Sequence, residues 1–181
     1  RPYMPTGVWD ETNRYGNLRN YKATTGDGLY RRSMYTIWKR TAAPPSMLLF
    51  DAPNREICTP KRARTNTPLQ ALALMNEVTY VEAARALAQR MMIEGGDTVE
   101  SRLTTGFRLV TARTPDKETL AVLKSGFERR RKEFNEKPEA AKSLIMQGTS
   151  KPDPSLDARE LAAYSATASI LLNLDRVVTK D

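Results

Sequence analysis

Thr67-Pro68-Leu69-Gln70 constrains the backbone more tightly than any other stretch of this chain. A threonine hydroxyl accepts from an amide left open at a helix start, and a proline at the first helical position gives up no hydrogen bond. A glutamine three residues past the cap reaches back to it. A helix is therefore predicted from Pro68, with Leu69, Leu72, Ala73 and Asn76 on one stripe.

The same punctuation recurs downstream. Val81, Ala84, Leu87, Ala88 and Met91 keep helical spacing over residues 78–93, and Gly95-Gly96 ends the run. Asp97-Thr98-Val99-Glu100 reads as a capping box that opens a helix through Leu103, Phe107 and Val110. Thr114-Pro115-Asp116 caps the next, through Leu120, Leu123 and Phe127 to about residue 136. Pro138 starts a short helix that ends near Gly148, and residues 150–154 form a polar linker. Asp157-Ala158-Arg159-Glu160 opens a last helix through Leu161, Tyr164, Ala168, Leu171 and Leu172 to Leu174. No stretch alternates with period two, and no repeat period recurs. The expectation is all-α, a single globular helical domain of about six or seven helices with an irregular N-terminal arm.

The arm is residues 1–28, where Pro2, Pro5, Gly7, Gly16, Gly26 and Gly28 interrupt any periodicity. The helical domain is then 29–181. Tyr30, Met34, Ile37, Trp38 and Thr41 share one helical face, which predicts a helix over residues 28–41 ended by Pro44-Pro45. Residues 46–60 read as an ordered loop around the apolar Met47-Leu48-Leu49-Phe50. The chain opens with Arg1-Pro2-Tyr3 and reads as a fragment of a longer protein.

Charge is unevenly spread. Of the net +8, residues 1–64 hold 12 Lys/Arg against 5 Asp/Glu, while the remainder is close to neutral. A basic N-terminal third points to an anionic partner or to a docking face. The chain has no histidine and one cysteine, Cys58. A Ser-His-Asp or Cys-His pair, a Cys/His zinc site and a C-x-x-C-H haem attachment therefore cannot be built from this chain alone. Next to Ile57, Cys58 is expected to be a buried small hydrophobe.

Two constellations could carry recognition. Arg31, Arg32, Lys39 and Arg40 alternate with aromatic residues and could clamp an anionic or sugar ligand, with Trp38 on the apolar stripe. Asp51, Arg55, Glu56, Arg62 and Arg64 sit close together in sequence. Two carboxylates in a basic neighbourhood stay ionised and suit ion pairing, for instance Asp51 with Arg55 or Arg62, better than acid catalysis. Arginine forks holding loop carbonyls are expected here, since lysine cannot satisfy several acceptors at once. Arg31, Arg32, Trp38, Lys39, Arg40, Asp51, Arg55, Arg62 and Arg64 are the candidate binding or interdomain residues, with no catalytic, cofactor or metal residue among them. Glu128-Arg129-Arg130-Arg131-Lys132-Glu133 reads as a solvated helix face, and with no nucleic-acid module in view a nucleic-acid partner is not expected.

Several motifs in order carry a resemblance: L-Y-R-R-S-x-Y-T-x-W-K-R-T at 29–41, F-D-A-P-x-R-x-x-C at 50–58, R-x-R-T-N-T-P-L-Q-A-L at 62–72, V-E-A-A-R-A-L-A at 81–88, F-R-L-V at 107–110 and S-I-L-L-N-L-D at 169–175. Together they resemble the C-terminal domain of unknown function found in large planctomycete and verrucomicrobial proteins. The resemblance implies a secreted or envelope-associated parent, with a second uncharacterised domain and often a cytochrome-c-like haem module upstream. It implies no reaction. Two expectations follow: a non-catalytic docking domain whose partners are the upstream domains of the same polypeptide, or a contributor of residues 50–66 to an enzyme site shared with an upstream domain. In the second case an extracellular polysaccharide would be the substrate, by analogy only, and an anionic polysaccharide is the further binding partner that the basic N-terminal third would suit. No cofactor is expected in this chain, and any haem belongs to the parent.

Overall fold

A computed structural model describes residues 1, 3–4, 7–8, 22–38, 43–54 and 56–179. Among them the chain is all-α, as expected: eight α-helices, six of them of seven residues or more, and no strand. The helices are α1 (Pro45–Leu49), α2 (Pro68–Asn76), α3 (Val78–Glu94), α4 (Val99–Thr111), α5 (Lys117–Glu136), α6 (Pro138–Ile145), α7 (Ala158–Leu172) and α8 (Asp175–Val178). The fold divides into two compact units, Arg1–Gln70 and Ala71–Asp181.

In the second unit the starts are set by capping side chains. The Asp116 carboxylate accepts from the Thr119 amide at 2.7 Å, and Asp157 accepts from the Arg159 and Glu160 amides at 3.1 and 2.9 Å. At α4 the cap is Thr98, whose hydroxyl accepts from the Ser101 amide at 3.2 Å, one residue later than the Asp97 start predicted. Nor is the box at α7 reciprocal, because Glu160 turns away to pair with Arg102 at 3.0 Å.

The core of this unit forms around α7, which packs on α3, α4, α5, α6 and α8. Its small residues Ala162, Ala163 and Ala168 let neighbouring helices approach, and Leu161, Tyr164 and Leu171 fill the space between them. Tyr164 stacks at a tilt on Phe127 of α5, with ring centroids 4.3 Å apart. Burial pushes the Tyr164 phenol above its ordinary pKa, while the nearby Arg102 charge acts in the opposite sense. From α3, the predicted stripe Val81, Ala84, Leu87, Ala88 and Met91 is buried throughout.

The first unit departs from expectation in three places. In place of one helix over 28–41, the described part holds two 3-10 turns, Gly26–Tyr30 and Ser33–Tyr35, with Arg31, Arg32 and Thr36 extended. Glycines at 26 and 28, aromatic and β-branched residues at 35–38 and no capping bond at either turn leave nucleation unsupported. Residues 39–41 lie outside the described residues. Pro45, predicted only to end a helix, instead begins α1, where its fixed φ suits the first helical position. Cys58 is exposed rather than buried, and the apolar neighbour on which that expectation rested, Ile57, is itself 73% exposed.

The stripe predicted along α2 is also out of phase. Leu69 and Leu72 are exposed, and Gln70 and Leu74 face inward.

Candidate interaction site

The motif loop of the first unit is stitched by polar side chains. Arg62 donates from Nε to the carbonyl of Asp51 at 2.9 Å and from Nη2 to that of Phe50 at 2.5 Å. The Asp51 carboxylate accepts from the Thr65 amide at 2.9 Å and from the Thr65 hydroxyl at 2.8 and 3.0 Å. Thr67 and Gln70 form the predicted reciprocal box: the Thr67 amide donates to Gln70 Oε1 at 2.8 Å, and the Gln70 amide to Thr67 Oγ1 at 3.3 Å. Gln70 Nε2 then donates to the Leu49 carbonyl at 2.8 Å and to Thr65 Oγ1 at 2.9 Å. Residues 49–51 are thereby tied to 62–70, with Asp51 at φ +60°, a left-handed conformation uncommon outside glycine but one that aspartate adopts more readily than most residues.

Asp51 and Arg62 are thus brought together, but through the Asp51 carbonyl, while the Asp51 carboxylate serves Thr65. Arg31, Arg32 and Arg64 are exposed, and Trp38 is half-buried. Around the two arginines, Tyr30, Met34 and Tyr35 are 52%, 69% and 60% exposed, so described residues 30–35 present an aromatic and basic surface. Lys39, Arg40 and Arg55 lie outside the described residues.

A second stitched loop lies in the other unit, held by two charged residues of the 81–88 motif. Glu82 and Arg85, one turn apart on α3, are 5% and 2% exposed. Arg85 Nη1 donates to the carbonyls of Ile145 (2.5 Å) and Gln147 (3.0 Å), and Nη2 to the Ser150 carbonyl (2.9 Å) and hydroxyl. Glu82 accepts from the amides of Thr149 (3.2 Å) and Ser150 (2.7 Å) and from the Ser150 hydroxyl. The two side chains also pair, at 3.5 Å. Together they fix the turn that follows α6. Gly148 makes the approach possible: its φ is +93°, and a Cβ there would lie 2.5 Å from the Glu82 carboxyl carbon.

Burying a carboxylate and a guanidinium is tolerable only when both are paired and richly hydrogen-bonded, as here. A signal for this was present in the sequence. Arg85 falls four residues after Val81 and three before Ala88, inside the apolar stripe, with an acid one turn away. What both clusters do chemically is hold backbone. Among the described residues no three acid, cysteine or histidine side chains gather to hold a metal ion.

A family model described as "Protein of unknown function (DUF1553)", PSD1, matches residues 2–127 of this chain. That is more than two thirds of its length, and the chain belongs to that family. The match takes in the 49–70 loop and the Glu82 and Arg85 side chains of α3, and it ends within α5, before the 145–150 turn that those two side chains hold. No curated protein and no solved structure matches the chain.

Proposed function

We propose that this chain is a non-catalytic docking and structural domain of a larger protein, secreted or envelope-associated and of the planctomycete and verrucomicrobial kind that its motifs resemble. The observation that carries the reading is the use made of the charged motif residues. Arg62 and Asp51, and Glu82 and Arg85, are engaged with their own backbone, so they stabilise loops rather than stand open to a substrate. A surface open to a partner among the described residues is the exposed run Tyr30, Arg31, Arg32, Met34 and Tyr35, whose mix of rings and guanidinium groups is the chemistry enriched at protein interfaces. The partner would be the upstream part of the same polypeptide.

A second reading makes residues 50–66 part of an enzyme site shared with an upstream domain and acting on extracellular polysaccharide. The exposure of Lys61 and Arg64 on that loop favours it. One experiment separates the two. The 181-residue chain and the rest of its parent are produced as separate polypeptides and mixed. Docking predicts association in trans that Arg31→Glu with Arg32→Glu weakens at least about tenfold, with intact turnover by the parent unaffected by Arg64→Gln. Association that survives the double substitution, or polysaccharide turnover abolished by Arg64→Gln, contradicts the docking reading.

A further inference from the structure

On the second unit, α5 and α7 leave an open trough of about 520 Å³ lined by Val122, Gly126, Arg129 and Arg130 of α5 and by Thr167 and Ile170 of α7. Its apolar end is exposed: Val122 is 72% and Ile170 37% open to solvent. Thr167 offers no free donor to the trough, since its hydroxyl donates to the Ala163 carbonyl at 2.9 Å. The other end is basic. Arg130 is half-buried and makes no hydrogen bond or ion pair with any described residue, whereas Arg90, Arg102 and Lys124 each hold a carboxylate. Burial lowers the Arg130 pKa from its ordinary value, and the adjacent Arg129 charge acts in the same direction against a weaker opposing effect of Glu133. Gly126 gives that guanidinium room, for a Cβ there would sit 2.8 Å from Arg130 Nη1.

A half-desolvated cation beside a like charge and an open apolar floor is a site for an anion attached to an apolar group. We propose that the α5–α7 trough docks an acidic amphipathic helix of a partner protein, with an apolar side chain against Val122 and Ile170 and a carboxylate on Arg129 and Arg130. Val122 and Arg129 lie seven residues apart on α5, so anchor and carboxylate must be about 10 Å apart, the rise of two helical turns in the partner. The inference deepens the docking reading by adding a surface on the helical unit. It uses none of the residues on which the trans-association test depends.

The test is fluorescence anisotropy with the full chain and a fluorescein-labelled, alanine-based peptide of about 15 residues, with leucines on one stripe and two glutamates about two turns along it. The expected result is saturable binding that falls at least about tenfold when the glutamates become glutamine. Arg130→Gln and Gly126→Ala should each weaken it to a similar degree, the second by pushing the guanidinium out of the trough while leaving the helix at least as stable. Lys132→Gln, which removes the same charge from an exposed position on α5, should leave binding unchanged. No binding of the peptide overturns the proposal, as does equal loss from Lys132→Gln and Arg130→Gln, which would mean a diffuse positive field. Binding of dodecanoate with none of the peptide would make the trough a fatty-acid site and overturn it as well. Loss here with Arg31 and Arg32 intact in trans association leaves the docking reading standing.

Discussion

Arg62 and Arg85 perform the same task in two different environments. Each spreads a guanidinium over main-chain carbonyls of a loop, and each has beside it a carboxylate that accepts from loop amides: Asp51 for Thr65, Glu82 for Thr149 and Ser150. Arg62 is exposed, so water competes for every bond it makes. Arg85 is 2% exposed, and its bonds have no aqueous substitute. The difference teaches that donor geometry decides which loop is held, while burial decides how much the hold is worth.

The largest effect that can break this comparison is Arg85→Met. It keeps the volume and leaves Glu82 a buried charge without its partner, together with open carbonyls at Ile145, Gln147 and Ser150. A loss of about 3–5 kcal/mol is expected in denaturant unfolding. Adding Glu82→Gln should recover part of that loss, because the two side chains are coupled. Next comes Gly148→Ala, which combines a strained φ with a methyl group driven into the Glu82 carboxylate. About 1–3 kcal/mol of destabilisation should show in the same assay. A negligible change would mean that the turn is free to move away.

Smaller effects sharpen the exposed side. Thr67→Ala removes one half of the capping box of α2, and about 1 kcal/mol should be lost from the midpoint of unfolding. Arg62→Lys cannot serve both Phe50 and Asp51 in the same geometry, and a loss under about 1 kcal/mol is expected. Lys132→Gln, on the charged face of α5, should be smaller still. If Arg62→Lys and Lys132→Gln prove indistinguishable, the loop stitch contributes nothing to stability and the positive N-terminal third acts only as a field.

Helix starts were legible wherever a local side chain closes an amide, as at Thr67, Asp116 and Asp157, because capping is chemistry within four residues. The one-residue error at Asp97 has the same origin: Asp97 and Thr98 are both competent caps, and only geometry chooses. What was not legible depends on partners far along the chain. The inward turn of Gln70 needs Leu49, and the burial of Arg85 needs residues 145–150, so spacing alone misplaced the α2 stripe and left the Glu82–Arg85 pair unremarked. The helix expected over 28–41 failed differently. Its apolar period was real, but period is only permissive where glycines, β-branched residues and missing caps oppose nucleation. Of the candidate site, the role of Arg62 as a fork on loop carbonyls was readable from residue type. The carbonyls it holds were not.

Amide hydrogen exchange, read for individual residues in one sample of the intact chain, tests the central claim that charged motif residues are used to hold loops. Thr65 donates to Asp51, and Ser150 donates to Glu82, so both amides lie outside helices and owe their protection to a carboxylate. The account predicts that Ser150 exchanges only with opening of the helical unit, and that Thr65 is measurably protected but far less so. Exchange of both at the rate of an unstructured peptide would contradict it, and so would equal protection of the two.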